Sequence, residues 1–217
     1  MGELAMASTV VSKRKNSSAG LFRGLGSSSR PIRRVRIDAP TIRATVFSRY
    51  LNQRETSLLI ELVGKVCLKV MIEFGCNVGI TAKRVLENVP TIEKYIGIDV
   101  PSDFITTLEC QLTEVPGRAG GYVADSDRFY LLTLPSARVT KGHLEPCDAI
   151  FIDGDHSYKA VMHESKMAND LVREGGIIVW HDFTNAAVEV SQALNELHAS
   201  GWPIESIEGS WLAYMRK

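Results

Sequence analysis

Two apolar runs in this chain end abruptly in groups that are costly to bury without partners. Residues 147–161 read CDAIFIDGDHSYKAV, in which the strand-like run 149–152 gives way to Asp153, Asp155 and His156. Residues 176–182 read GIIVWHD and finish in His181 and Asp182. Carboxylates and imidazoles in such positions can move protons or hold a cation, provided the elements before them bring them to one place. A third stretch, IEFGCNVGIT over 72–81, sets Glu73 two residues ahead of Gly75 and spaces Gly75 and Gly79 as G-x-x-x-G. The tighter G-x-G-x-x-G loop that lays a pyrophosphate on a helix N-terminus is absent, which counts against NAD and FAD. The run KYIGIDV at 94–100 ends in Asp99, about 20 residues beyond the loop, where an acid is suited to accept both hydroxyls of a ribose. Together these features predict a ribose-bearing ligand with no pyrophosphate.

The elements that must position these residues follow from periodicity. Within FSRYLNQRETSLLIELVGKV (47–66), Leu58, Leu59, Leu62, Val63 and Val66 recur at near-helical spacing and predict an amphipathic helix. Strands are predicted at 67–75, 94–100, 120–125, 148–153, 176–182, 204–209 and 211–216, with helices near 80–89, 102–114, 128–138, 157–173 and 186–200. Alternation of this kind predicts an α/β fold: a Rossmann-like, doubly wound, seven-stranded sheet, mostly parallel, with helices on both faces. The last two strands are separated only by Gly209 and Ser210, so a hairpin should turn the final strand antiparallel. Ligands of open α/β sheets sit at the carboxyl ends of the strands, and each residue singled out above lies at such an end.

The formal net charge is zero, but it is unevenly spread. Residues 1–36 hold eight basic side chains against Glu3, a balance of +7, so the remainder carries −7. We divide the chain into a flexible basic arm, 1–40, and one catalytic domain, 41–217. The arm fits three uses: a solubilising tail, a docking arm for nucleic acid or an acidic partner, and an organelle transit peptide. No apolar run approaches the ~20 residues of a membrane span, so a cytoplasmic protein is expected rather than a membrane-embedded one. The cysteines Cys67, Cys76, Cys110 and Cys147 form no C-x-x-C pair, which speaks against a zinc site or a disulfide framework.

The stretch EFGCNVGIT resembles motif I of the class I S-adenosylmethionine-dependent methyltransferases, and YIGIDV resembles the acidic motif that follows it. FIDGDHSYKAV, LVREGGIIVWHD and the closing hairpin are similar to the subgroup of macrocin-type O-methyltransferases and cephalosporin-hydroxylase-like proteins, methyltransferase family 24. The resemblance covers about residues 66–217. It implies S-adenosylmethionine as cofactor, with Glu73, Gly75, Cys76, Asn77 and Gly79 forming the loop at its methionine side and Asp99 holding the ribose. It also implies that Asp125, with Ser126 beside it, meets the adenine amino group, and that Asp153 borders the cofactor. In related O-methyltransferases acids after the fourth and fifth strands hold Mg²⁺, so Asp153, His181 and Asp182 are the implied metal ligands. His181 stands where the subgroup often has an acid, and imidazole suits Mn²⁺ better than Mg²⁺. His156 is the candidate general base beside Asp153. Asp155 has a plainer use as a cap for the helix starting near Ser157.

Three functions follow from this. The first is O-methylation of a hydroxyl on a small molecule or sugar, assisted by Mg²⁺ or Mn²⁺. The second is methylation of RNA, DNA or a ribonucleoprotein docked through the basic arm; no N-P-P-[YF] amine motif supports it. The third is a non-catalytic scaffold, against which the retained Glu73, Gly75, Gly79 and Asp99 count.

Overall fold

The computed structural model describes residues 30–38, 42, 52–66, 68–104 and 116–217. Its strands are β1 (Arg33–Val35), β2 (Val70–Phe74), β3 (Lys94–Asp99), β4 (Phe129–Thr133), β5 (Cys147–Ile152), β6 (Val172–Trp180), β7 (Glu205–Ile207) and β8 (Ala213–Arg216). Helices α1 (Gln53–Gly64), α2 (Ile80–Asn88), α3 (Tyr158–Leu171) and α4 (Val190–Ala199) lie between them, with 3-10 turns at Ser136–Arg138 and Lys141–His143. The sheet runs β1-β7-β8-β6-β5-β2-β3-β4, parallel throughout except where β8 pairs antiparallel with β6 and β7.

Strand periodicity of two explains the packing. Ile72 and Phe74 of β2, with Ile150 and Ile152 of β5 and Ile178 and Trp180 of β6, face the helices α3 and α4. The alternate residues Met71, Ala149, Phe151, Ile177 and Val179 face α1 and α2. Burial on both faces is why β5 and β6 read as unbroken apolar runs. Each fully buried aliphatic or aromatic side chain here is worth about 1.5–3 kcal/mol. The Trp180 indole N–H, wholly buried, donates to Ser165 Oγ at 2.9 Å. Chain order reverses between β2 and β5, one continuing outward to β3 and β4 and the other to β6, so a crevice opens above their carboxyl ends.

Four expectations are corrected. Among the described residues the sheet has eight strands rather than seven, because Arg33–Val35 adds itself to the edge beside β7. That strand lies within the span assigned to a flexible arm; residues 1–29 lie outside the described residues. The predicted strand at 120–125 is a turn: Gly120 has φ +64°, and the amides of Gly120 and Tyr122 donate to the carbonyls of Asn77 and Val78. The strand is instead Phe129–Thr133, inside the predicted helix 128–138, where apolar residues spaced for a helix serve an edge strand that leaves Tyr130 and Leu131 exposed. The closing hairpin also has a longer connection than two residues, from 208 to 212. Most of the helix predicted at 102–114 falls outside the described residues. Among the described residues no helix is long and apolar enough to cross a membrane.

Candidate active site

A cleft of about 1040 Å³ runs along the carboxyl ends of the strands. At one end the glycine loop shapes it. Gly75 has φ +81°, and a Cβ there would lie 2.2 Å from the Asp153 carbonyl oxygen and 2.4 Å from the Gly154 Cα. Only a residue without a side chain lets β2 and β5 deliver their loops so close together. Asn77, at φ +44°, donates its amide to Asp99 Oδ2 at 2.6 Å, while the Val100 amide donates to Oδ1 at 2.7 Å. Both oxygens of Asp99 are thereby oriented at the cleft wall with lone pairs left for a diol. Burial raises the Asp99 pKa, against the effect of those two amides.

Gly75, Cys76, Asn77, Asp99, Asp153, His156, His181 and Asp182 all line the cleft. Gly79 stands just outside it, at φ +87°, where a Cβ would meet Val123 Cγ1 at 2.9 Å. Glu73 is buried behind the loop: it accepts the Tyr95 hydroxyl at 2.8 Å, and burial pushes its carboxyl well above the ordinary range. Asp125 is exposed on the turn, and neither it nor Ser126 borders the cleft. Residues 134–137, which follow the true edge strand, line it instead. Cys76 and Cys147 are buried free thiols.

The other end is built from charge. β5 and β6 run side by side, the Asp153 amide donating to the Phe74 carbonyl and the His181 amide to the Ile152 carbonyl, so both loops emerge at one level. Asp182 sits at φ +59° and Thr184 at φ +74°, a left-handed pair fixed by the Asn185 side-chain amide, which donates to Asp182 Oδ1 at 2.7 Å. Strain of this kind persists where surrounding contacts over-determine it, as at functional sites. His181 Nδ1 lies 3.2 Å from Asp153 Oδ1 and 3.3 Å from Asp182 Oδ2. His156 Nε2 lies 2.9 Å from Asp182 Oδ2 and 3.5 Å from Asp153 Oδ1, yet neither buried nitrogen of that ring makes an aligned hydrogen bond. The cap expected of Asp155 belongs instead to Ser157, whose hydroxyl accepts the Ala160 amide, while Asp155 accepts the Ser157 amide at 3.0 Å in the turn before α3.

Burial would drive both imidazoles neutral, but the two carboxylates prevail, pushing His156 up to about 10 and His181 up to about 12. Burial likewise opposes ionisation of Asp153 and Asp182, and the imidazoles hold Asp153 below, and Asp182 well below, the usual carboxylate range. The two imidazoles thus stand as cations against the carboxylates of Asp153 and Asp182, with Glu55 a third acid 3.5 Å from His181. His156 then carries a proton at neutral pH, so it can accept another group's proton only when something else shares its carboxylates. A shared cation is chemically suited to that place, since single ligand atoms of Asp153, His181 and Asp182 lie within 4.8 Å of one another.

Two cleft residues went unnoticed in the sequence. Glu55, in the first turn of α1, is 5% exposed and comes within 3.5 Å of His181. Trp211, from the connection between β7 and β8, is 45% exposed with its ring centroid 6.2 Å from that of His181. The pattern Asn52-x-x-Glu55 was the available signal, because an N-cap followed three residues later by glutamate marks a helix start.

A parallel sheet with one antiparallel insertion and an acid at the end of its second central strand fits the Rossmann-like methyltransferase fold. Similar solved structures include the calicheamicin methyltransferase CalS11, 15% identical over 76% of this chain and 80% of that one, with a TM-score of 0.60. They also include the O-methyltransferase NovP, 11% identical over 76% and 80%, TM-score 0.59. A third is the O-methyltransferase TomG from Streptomyces achromogenes, 13% identical over 77% and 82%, TM-score 0.57. At such identities the likeness is one of fold. No curated protein matches the chain in sequence. The family's sequence model does match, over residues 72–183: this chain belongs to the methyltransferase domain family. The matched span holds both ends of the cleft described above but neither Glu55 nor Trp211.

Proposed function

We propose that this protein transfers a methyl group from S-adenosylmethionine to a hydroxyl of a small molecule or sugar, assisted by a divalent metal, Mg²⁺ or Mn²⁺. The observation that carries this reading is the meeting of Asp153, His181 and Asp182 in the same cleft as Asp99 and the glycine loop. When bound, the cofactor supplies an electrophilic sulfonium methyl and the metal supplies Lewis acidity that lowers the pKa of an acceptor hydroxyl.

The residues of the chain do the rest. Asp99, held by two backbone amides, accepts the ribose hydroxyls, and the loop 75–77 closes on the methionine end. Residues 134–137 provide the adenine end. Asp153 keeps 22% of its side chain exposed, enough to meet a ligand, while Asp182 is more deeply held. Were those carboxylates shared with a cation, His156 Nε2 would lose the pairing that keeps it protonated and would accept the hydroxyl proton. Phe183 and the half-exposed Trp211 give the acceptor an apolar wall. One imidazole among the ligands favours Mn²⁺ over Mg²⁺.

Calorimetric titration with S-adenosylmethionine, with and without Mg²⁺ or Mn²⁺, tests the first half. Methyl transfer from labelled cofactor to a panel of hydroxylated acceptors tests the second. No binding of cofactor under any of these conditions would sink the proposal.

A further inference from the structure

We propose that Glu55 is a positioning residue that accepts the Nε2 hydrogen of His181 and so holds the ring with Nδ1 toward Asp153 and Asp182, where Nδ1 would give up its own hydrogen to take a metal. The role deepens the metal-assisted function proposed above and depends on it. Glu55 occupies the third position of α1, where a glutamate normally folds back on its own helix and stays wet. Here it is buried, and its carboxylate reaches beyond its own N-cap to two distant segments. The Asn52 side-chain amide donates to Oε2 at 2.6 Å, the Trp211 backbone amide donates to Oε1 at 2.8 Å, and His181 Nε2 approaches Oε2 at 3.5 Å. Three donors from three separate segments converge on one side chain. A carboxylate, with two oxygens and no hydrogen, is suited to accept from all of them.

The consequence for His181 is directional. Glu55 offers no hydrogen, so Nε2 must be the donor. Nδ1, on the opposite side of the ring, lies within 3.3 Å of oxygens from both Asp153 and Asp182. A histidine that gives its outer N–H to a carboxylate and its inner nitrogen to a metal is the arrangement by which outer groups orient metal-binding imidazoles. The alternative is a purely structural Glu55 that pins the start of α1 to the 208–212 connection.

The test uses the full chain without cofactor or acceptor. Mn²⁺ is titrated, and the free ion is followed by electron paramagnetic resonance, for the unaltered protein, Glu55→Gln and His181→Ala. Gln keeps the size and one acceptor oxygen but sets an NH₂ against donors, so Mn²⁺ affinity should fall about 10–100-fold, as for other outer-shell carboxylates. S-adenosylmethionine binding to Glu55→Gln should persist, showing that the cleft is intact. Equal Mn²⁺ affinity in Glu55→Gln and the unaltered protein would overturn the role. Failure of the unaltered protein to bind Mn²⁺ would instead overturn the metal reading itself. Should Glu55→Gln not fold, the unaltered chain still decides. With Zn²⁺ bound, long-range ¹H–¹⁵N correlation should show the His181 ring protonated on Nε2 alone, and a ring protonated on Nδ1 would refute the proposal.

Discussion

The two ends of the cleft are made on different principles. The glycine-loop end is made of backbone: positive φ at Gly75 and Asn77, amides aimed at Asp99, and an acid, Glu73, whose carboxyl burial pushes well above the ordinary range. The other end is made of charge: Asp153, Asp182, His156 and His181 compensate one another across 2.9 to 3.5 Å. A site built from backbone is broken by bulk. A site built from compensation is broken by removing one member.

The largest effect should come from the charged end. Asp182→Ala takes from the two buried imidazoles the one carboxylate within 3.3 Å of both, which costs about 3–5 kcal/mol, measurable by urea unfolding of the metal-free protein. Next is Gly75→Ala, which forces a Cβ against the Asp153 carbonyl in a left-handed conformation. Steric strain and overpacking of that kind cost about 1–3 kcal/mol, and cofactor binding by calorimetry should be lost. Were the Ala variant to bind normally, the backbone account of this end would be wrong. Asp99→Ala removes hydrogen bonds to a charged group worth about 1.5–3 kcal/mol, so cofactor affinity should weaken roughly 10–100-fold with little change in unfolding.

The pH response separates the ends without a mutation at the loop. His156 titrates near 10 in the folded chain, above its unfolded value, so its contribution to stability is complete below about pH 6.5 and is lost as pH rises through 10. Melting temperature of the metal-free protein should fall from pH 7 to pH 10, and His156→Gln should flatten that slope. The smallest effect is expected of Asp125→Ala: an exposed turn residue outside the cleft should change cofactor affinity by under about 0.5 kcal/mol. A larger loss would restore Asp125 to the adenine site.

What the sequence could reveal was whatever a single element encodes. β5 and β6 announced themselves because strands covered on both faces must be apolar, and the acids and imidazoles after them marked where the chain leaves the core. The edge strand β4 was misplaced because half its side chains are exposed and its leucines also suit a helical spacing. Asp125 and Ser126, placed at the end of the strand expected at 120–125, stand instead on a turn outside the cleft. Glu55 stayed hidden for another reason. Its functional partners are 126 and 156 residues away, at His181 and Trp211, and local pattern shows it only as a helix cap.

The strand Arg33–Val35 has a practical side. Arg33 is paired with Glu205, which also accepts the Tyr214 hydroxyl at 2.5 Å, and three parallel rungs join β1 to β7. This short, positively charged margin is the kind of blunt edge that keeps a sheet from recruiting strands of other molecules. Trimming the chain at residue 29 preserves that guard. Trimming it at 36, where composition alone would cut, strips β7 bare, and the shortened protein should self-associate for reasons unrelated to any partner of the basic segment.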